Sequence, residues 1–265
     1  MTLPRPRPQN ALVEPLEQIG TLLGVWAHPD DEAYLSAGLM RRVALAGGRV
    51  VCVTATHGEH GTDDPAAWPP DRLAPLRARE LRSALAAVGV TEVRLLDHPD
   101  GGCAELSAAD VSTSVAGIAA LIDEMRPDAI VTFGPDGMTD HPDHIAVSRW
   151  TTAAWLAAGR RGALLYATKS HSFAARHDEL HRRLGLFPPG FPVTVDDADV
   201  ALSVVLDEDD LDAKRAALAA HASQTEPLAL LMGEATYRTW WADESFRRPT
   251  SAELSGEESR LTVTP

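Results

Sequence analysis

The chain has 265 residues, 45% of them hydrophobic, with 19 glycines and 19 prolines, enough to bury a full core as one domain of ordinary α/β size. Its 24 Lys and Arg against 38 Asp and Glu give a formal charge of −14, which excludes a nucleic-acid backbone or an anionic membrane surface as the expected partner, since both select basic patches. A neutral or cationic small molecule fits better. Nowhere do 18 apolar residues run together, and the first ten residues carry three prolines but no apolar signal-peptide core. Residues 1–18 therefore read as a flexible leader, 19–246 as a single domain and 247–265 as a loosely ordered tail. Cys52 and Cys103 are the two cysteines; they form no disulfide framework and read as free thiols of a cytoplasmic protein.

Residues 21–27 form an apolar run of strand length. Residues 33–46 then carry Leu35, Leu39, Met40 and Val43 at helical intervals, until Gly47 and Gly48 stop the helix. A second buried-type strand over 49–56 leads into a long polar loop, 57–75, in which His57 and His60 flank Glu59. A helix over 76–88, a short strand over 92–96 and a loop over 97–102 follow. The next helix, 107–125, has Ser107 as its cap. The fourth strand is 129–133, a helix opens at His141 and runs to about residue 158, and 163–169 is a fifth strand. Residues 170–199 show no clear period, and His171, His177 and His181 within them read as solvated. A sixth strand over 200–206 precedes a helix over 208–222, whose acidic start suits the positive end of the helix dipole. Alternating strands and helices predict an α/β fold: a Rossmann-like, doubly wound, mostly parallel sheet with helices on both faces. In the order 3-2-1-4-5, strands one and four lie side by side at the point where ligands bind.

His-Pro-Asp occurs three times, at 28–30, 98–100 and 141–143, each copy just beyond an expected strand. One copy is ordinary turn or helix-start chemistry. Two copies also carry a ligand-type residue three positions after the histidine, Asp31 and His144, and turn chemistry does not explain that. Two imidazoles and a carboxylate make a three-ligand catalytic zinc set that leaves a place for water, so His28, Asp31 and His144 are assigned as ligands, with zinc as the metal and iron(II) as the alternative. Such a metal lowers the pKa of its water to about 7. Asp30, next to a ligand, is then the general base. His141, one turn before His144, would steady an oxyanion or protonate a leaving amine.

The stretch Ala27-His28-Pro29-Asp30-Asp31-Glu32, taken with His141-Pro142-Asp143-His144, resembles the PIG-L/LmbE-like family of zinc-dependent N-deacetylases. The likeness runs over residues 20–225, with further matches at 56–59, 77–81, 97–101 and 220–224. The resemblance implies hydrolysis of the N-acetyl group of an N-acetylglucosamine-type sugar or glycoconjugate and the same roles for His28, Asp31, His144, Asp30 and His141. It also suggests Arg77, Glu59, Asp100 and His221 as substrate-binding residues, although a salt bridge from Arg77 to Glu80, a surface turn at Asp100 and a capping role for His221 are the plainer alternatives. The mycothiol-pathway deacetylases of this family place a tyrosine shortly before the second motif; here Gly137-Met138-Thr139-Asp140 has none. An amidase acting on a larger N-acyl conjugate is the rival within this chemistry. A non-catalytic metal- or sugar-binding module would need the ligands but not Asp30, and a dinucleotide site would need a Gly-x-Gly-x-x-Gly where His-Pro-Asp-Asp stands. Assembly of identical copies is left open.

Overall fold

Five strands rich in β-branched and aliphatic residues pair in parallel at the centre of the chain: β1 (Thr21–Trp26), β2 (Arg49–Thr56), β3 (Glu92–His98), β4 (Ala129–Phe133) and β5 (Ala163–Ser170). The computed structural model describes Leu16 and residues 19–263, with side chains up to Arg260; the expected leader otherwise lies outside the described residues. The order β3-β2-β1-β4-β5 is the expected one, with Leu22 opposite Ala129 and Gly24 opposite Val131 across the β1/β4 junction. Beyond β5 the sheet turns mixed. β8 (Asp243–Arg247) runs antiparallel to β5, β7 (Val200–Val205) runs antiparallel to β8, and the two-residue β6 (Thr194–Val195) also pairs with β5.

Right-handed crossovers leave β1 and β4 in opposite directions along the sheet, so their helices fall on opposite faces. On one side α1 (Asp31–Leu35), α2 (Ala37–Leu45) and α3 (Pro70–Ala87) pack with α8 (Glu208–Ala220). On the other, α4 (Ala108–Met125) packs on α6 (Pro142–Ala157), which follows the short turn α5 (Gly137–Asp140). Gly24 sits mid-strand because a β-carbon there would lie 2.6 Å from Met40 of α2 and 2.9 Å from the Trp26 indole nitrogen. Trp26 in turn meets Phe133 edge-on, ring centroids 5.0 Å apart, beneath the carboxyl ends of β1 and β4.

The unperiodic stretch and the tail are more ordered than their composition suggests. Residues 170–199 contain α7 (His171–Leu184), capped by the Ser170 hydroxyl on Phe173 N–H. His181, rather than being solvated, accepts a 2.9 Å hydrogen bond from the Trp240 indole. After α8, α9 (Ala222–Met232) and α10 (Glu234–Trp240) lead to β8. Within 247–265, expected to be loose, α11 (Ser251–Val263) packs on α6. Thr250 and Glu253 form a reciprocal capping box at its start, and Glu253 takes both terminal nitrogens of Arg247 at 2.7 and 2.9 Å. No helix among the described residues is long and apolar enough to cross a membrane.

β8 escapes sequence patterning because one of its two inward residues is Glu244, 1% exposed. Its carboxylate accepts from Gly38 N and Leu39 N at the start of α2 and from the fully buried Lys214 ammonium at 2.7 Å. Removing one partner of such a pair strands the other charge in a low-dielectric interior, which costs about 3–5 kcal/mol. Glu244→Ala should therefore lower stability by about that amount in urea unfolding, and adding Lys214→Met should recover part of it; an unchanged unfolding midpoint would contradict this account of the pair.

Candidate metal centre

The first motif leaves β1 and enters α1 through a backbone that only the fold could enforce. Asp30 has φ 129° and ψ −28°, a left-handed conformation uncommon for a residue with a side chain. Its carbonyl accepts from Ala33 N and Tyr34 N, while its N–H donates to Glu32. The turn aims Asp31 back at the end of β1, where its carboxylate accepts from His28 N at 2.7 Å. The second motif opens α6. His141 is its N-cap, Pro142 its first residue, and His144 sits one turn in.

Strand adjacency brings the two motifs together. His28 Nδ1 lies 3.2 Å from His144 Nε2 and 3.6 Å from Asp31 Oδ2, and His144 Nε2 lies 3.4 Å from Asp31 Oδ1. Three donors about 2.1 Å from a tetrahedral ion stand about 3.4 Å from one another, so the sequence-assigned ligands have the separations that a zinc-sized cation requires. The second nitrogen of each ring is already engaged. His144 Nδ1 donates to the Gly137 carbonyl at 2.9 Å, and His28 Nε2 donates to Asp143 and Asp100, each at 3.1 Å. Both remaining ring nitrogens face the same point. The His144 ring is further fixed by stacking on Phe133, with centroids 4.1 Å apart and planes 8° apart.

Electrostatics divides the two histidines. Burial disfavours charge on both rings. For His28, the hydrogen bonds to Asp100 and Asp143 and the charge of Asp31 outweigh burial and push its pKa up to about 10. For His144, burial and the neighbouring His28 charge bring it down to about 4. The facing nitrogens thus share one proton, whose place a cation would take. Burial also raises the Asp30 carboxyl to about 6, with the Arg77 guanidinium pulling the other way. His141 is half-buried and its pKa is lowered by burial and then by His28 and His144. Its Nδ1 accepts from Asp143 N at 3.2 Å, so the neutral ring carries its proton on Nε2, as a donor.

Three residues suggested at the substrate have partners within the protein. Arg77 is 3% exposed; its terminal nitrogens donate to the Gly58 and Pro29 carbonyls and, at 3.2 Å, to Asp30. It braces Asp30, and Glu80 binds Ser223 instead of Arg77. His221 is fully buried and paired with Glu32 at 2.7 Å. Asp100 is spent on His28 Nε2 and on His60 N at 2.8 Å. Glu59 differs: one oxygen accepts from Asp100 N at 3.0 Å, and the other is buried without a partner among the described residues. His57 bonds Asp97 and His60 bonds the Asp100 backbone, so neither joins the centre. Sequence reasoning passed over Asp143, which is fully buried and accepts from His28, from Gly101 N at 2.8 Å and from Cys103 N at 3.0 Å. Its position inside the second motif, beside two assigned histidines, was the available signal.

The family model described as PIG-L, GlcNAc-PI de-N-acetylase, matches residues 23–155, a segment that contains both motifs and half of the chain. The chain belongs to the PIG-L family. Among curated relatives, a 1D-myo-inositol 2-acetamido-2-deoxy-alpha-D-glucopyranoside deacetylase 2 of Catenulispora acidiphila is 35% identical over 246 residues, covering 77% of this chain and 79% of that one. The corresponding deacetylase of Rhodococcus jostii is 36% identical over 239 residues, covering 77% and 81%. Among solved structures, the N,N'-diacetylchitobiose deacetylase of Pyrococcus horikoshii superposes with a TM-score of 0.59 at 19% identity, over 89% of this chain and 86% of that one; that likeness shows the shared fold.

Outer partners that orient a ligating imidazole typically contribute 10–100-fold to metal affinity. Asp143→Ala should therefore weaken zinc binding by about 10–100-fold in a chelator competition titration. Equal affinity would remove Asp143 as the residue that orients His28.

Proposed function

We propose that this chain hydrolyses the N-acetyl group of an N-acetylglucosamine-type sugar or glycoconjugate, releasing acetate and a free amine, at a divalent cation held by His28, Asp31 and His144. The observation that carries the reading is the meeting of His28 Nδ1, His144 Nε2 and the Asp31 carboxylate at one point with the largely buried Asp30 next in sequence. The activity for which the relatives are named, deacetylation of a 2-acetamido-2-deoxyglucopyranoside, supports it. Two imidazoles and one carboxylate suit zinc first and iron(II) second. When bound, the cation acidifies a water and polarises the amide carbonyl.

The chain's own groups supply the proton transfers. Asp30, with its pKa raised to about 6, is ionised near neutrality yet basic enough to take a proton from the attacking water. The Arg77 contact fixes which way that carboxylate points. His141 Nε2–H donates to the oxygen on which charge develops, and because the ring is neutral this costs no deprotonation. The proton on Asp30 then passes to the departing nitrogen as the C–N bond breaks. The sugar lies on the β2 side of the centre, beside Glu59, whose second oxygen has no partner among the described residues. A binding module without catalysis leaves the strained Asp30 and its dedicated arginine without a purpose.

Asp30→Asn should retain stoichiometric metal while amine release falls by about 10²–10⁴-fold; turnover near that of the parent would remove Asp30 from the mechanism. Arg77 favours the ionised form of Asp30, so its loss raises the pKa of the base and leaves less of it ionised at low pH. The acid limb of the kcat/KM profile of Arg77→Met should move to higher pH than in the parent, and an unmoved limb would separate Arg77 from the base.

A further inference from the structure

A cavity of about 200 Å3 opens beside the centre, with Asp31 and His144 in its wall together with Phe133, Phe187, Trp241 and Lys169. It lies toward the β4 and β5 ends of the sheet. Polar side chains beside the centre, Glu59, His60 and Asp100, follow β2 and β3 on the opposite side. A trans amide directs its nitrogen substituent and its acyl chain to opposite ends of the C–N bond. With the carbonyl at the cation and the sugar among the polar groups, the acyl chain points into this cavity. A water-sized group occupies about 30 Å3, so an acetyl methyl leaves most of the space empty.

Lys169 gives the cavity its second property. It is the last residue but one of β5, is 5% exposed, and makes no hydrogen bond or ion pair among the described residues. Its ammonium lies 4.3 Å above the Phe173 ring and 5.6 Å from the Trp241 ring centroid. Burial and then the nearby Lys214 charge bring its pKa down to about 8, with Asp243 and Glu244 acting the other way. Lys214 itself is satisfied by Glu244 and the Tyr34 carbonyl. An aromatic-walled cavity that ends on a buried cation lacking a counter-ion matches a ligand with an apolar body and an anionic end. The negative charge of the chain acts over distances that salt screens, whereas Lys169 acts at contact.

We infer that the hydrolysis extends to amino-sugar amides whose acyl group has an apolar, ring-sized body ending in a carboxylate, which pairs with Lys169. This rests on the deacetylase reading. Water adds to the amide carbonyl, the C–N bond breaks, and the products are the amino sugar and a dicarboxylic acid.

The test compares N-(4-carboxyphenylacetyl)glucosamine with N-(4-methylphenylacetyl)glucosamine, using N-acetylglucosamine as reference and metal-loaded protein. Expected is a kcat/KM at least about tenfold higher for the carboxylated compound than for its methyl isostere, with the ratio falling to near one in Lys169→Met. A ratio near one in the parent protein, or cleavage of N-acetylglucosamine with neither larger amide cleaved, would overturn the inference and leave the deacetylase reading standing. Equilibrium binding of both amides, measured by calorimetry, separates the two claims. A carboxylate preference in binding without amine release from any compound supports the pocket and refutes deacetylation, and no preference in binding refutes the pocket.

Discussion

Two imidazole nitrogens 3.2 Å apart, each on a ring whose other nitrogen is already committed as a donor, cannot both present bare lone pairs to each other. Something positive must lie between His28 and His144. The constraint reaches far along the chain because each committed nitrogen draws in another segment. His28 depends on Asp143 at the start of α6 and on Asp100 beyond β3; His144 depends on the Gly137 carbonyl in the turn after β4. Departures from ordinary backbone geometry gather there as well, at Asp30 (φ 129°), Met138 (φ 65°) and Asp140 (φ 62°). Strain of that kind persists only where the surrounding structure over-determines it.

Behind the centre, an acidic chain has to keep several carboxylates buried, and it gives each one a cation or a set of N–H donors. Asp30 has Arg77 from α3, Glu32 has His221 from the end of α8, and Glu244 has Lys214 together with the first N–H groups of α2. For Glu32 and His221, burial opposes charge on the ring, but the carboxylate beside it prevails and raises the imidazole pKa. These pairs tie α1, which carries the first motif, to α3, α8 and β8. Arg77 and His221, which the resemblance suggests at the substrate, thus also brace the segment of the first motif, a support that designed sites also need.

Much of this was legible in the residues. The parallel order through β5 followed from strand and helix periods and crossover handedness, and the meeting of residues 28–31 with 141–144 followed from that order. Patterning failed where burial was polar. β8 buries Glu244, which no hydrophobic alternation reveals, and α11 was hidden by its charged composition even though Thr250 and Glu253 spell a capping box. For Arg77 and His221 the resemblance suggested the substrate, with a salt bridge and a cap as alternatives; their partners, Asp30 and Glu32, lie far off in sequence, where no local pattern points to them. Trp240 and Trp241 could be core or wall by sequence, and they are both: each is buried and each lines the cavity beside His144. The segment without the expected tyrosine lends Met138 and Thr139 to the same cavity.

The central claim is that His28, Asp31 and His144 together hold one cation. X-ray absorption of the protein loaded with one equivalent of zinc tests this most directly. The account predicts a first shell of nitrogen and oxygen at about 2.0–2.2 Å, with the outer-shell scattering of two imidazoles, lowered to one imidazole in His144→Ala. A shell of oxygen donors alone, or a two-imidazole signal that survives in that variant, would contradict it.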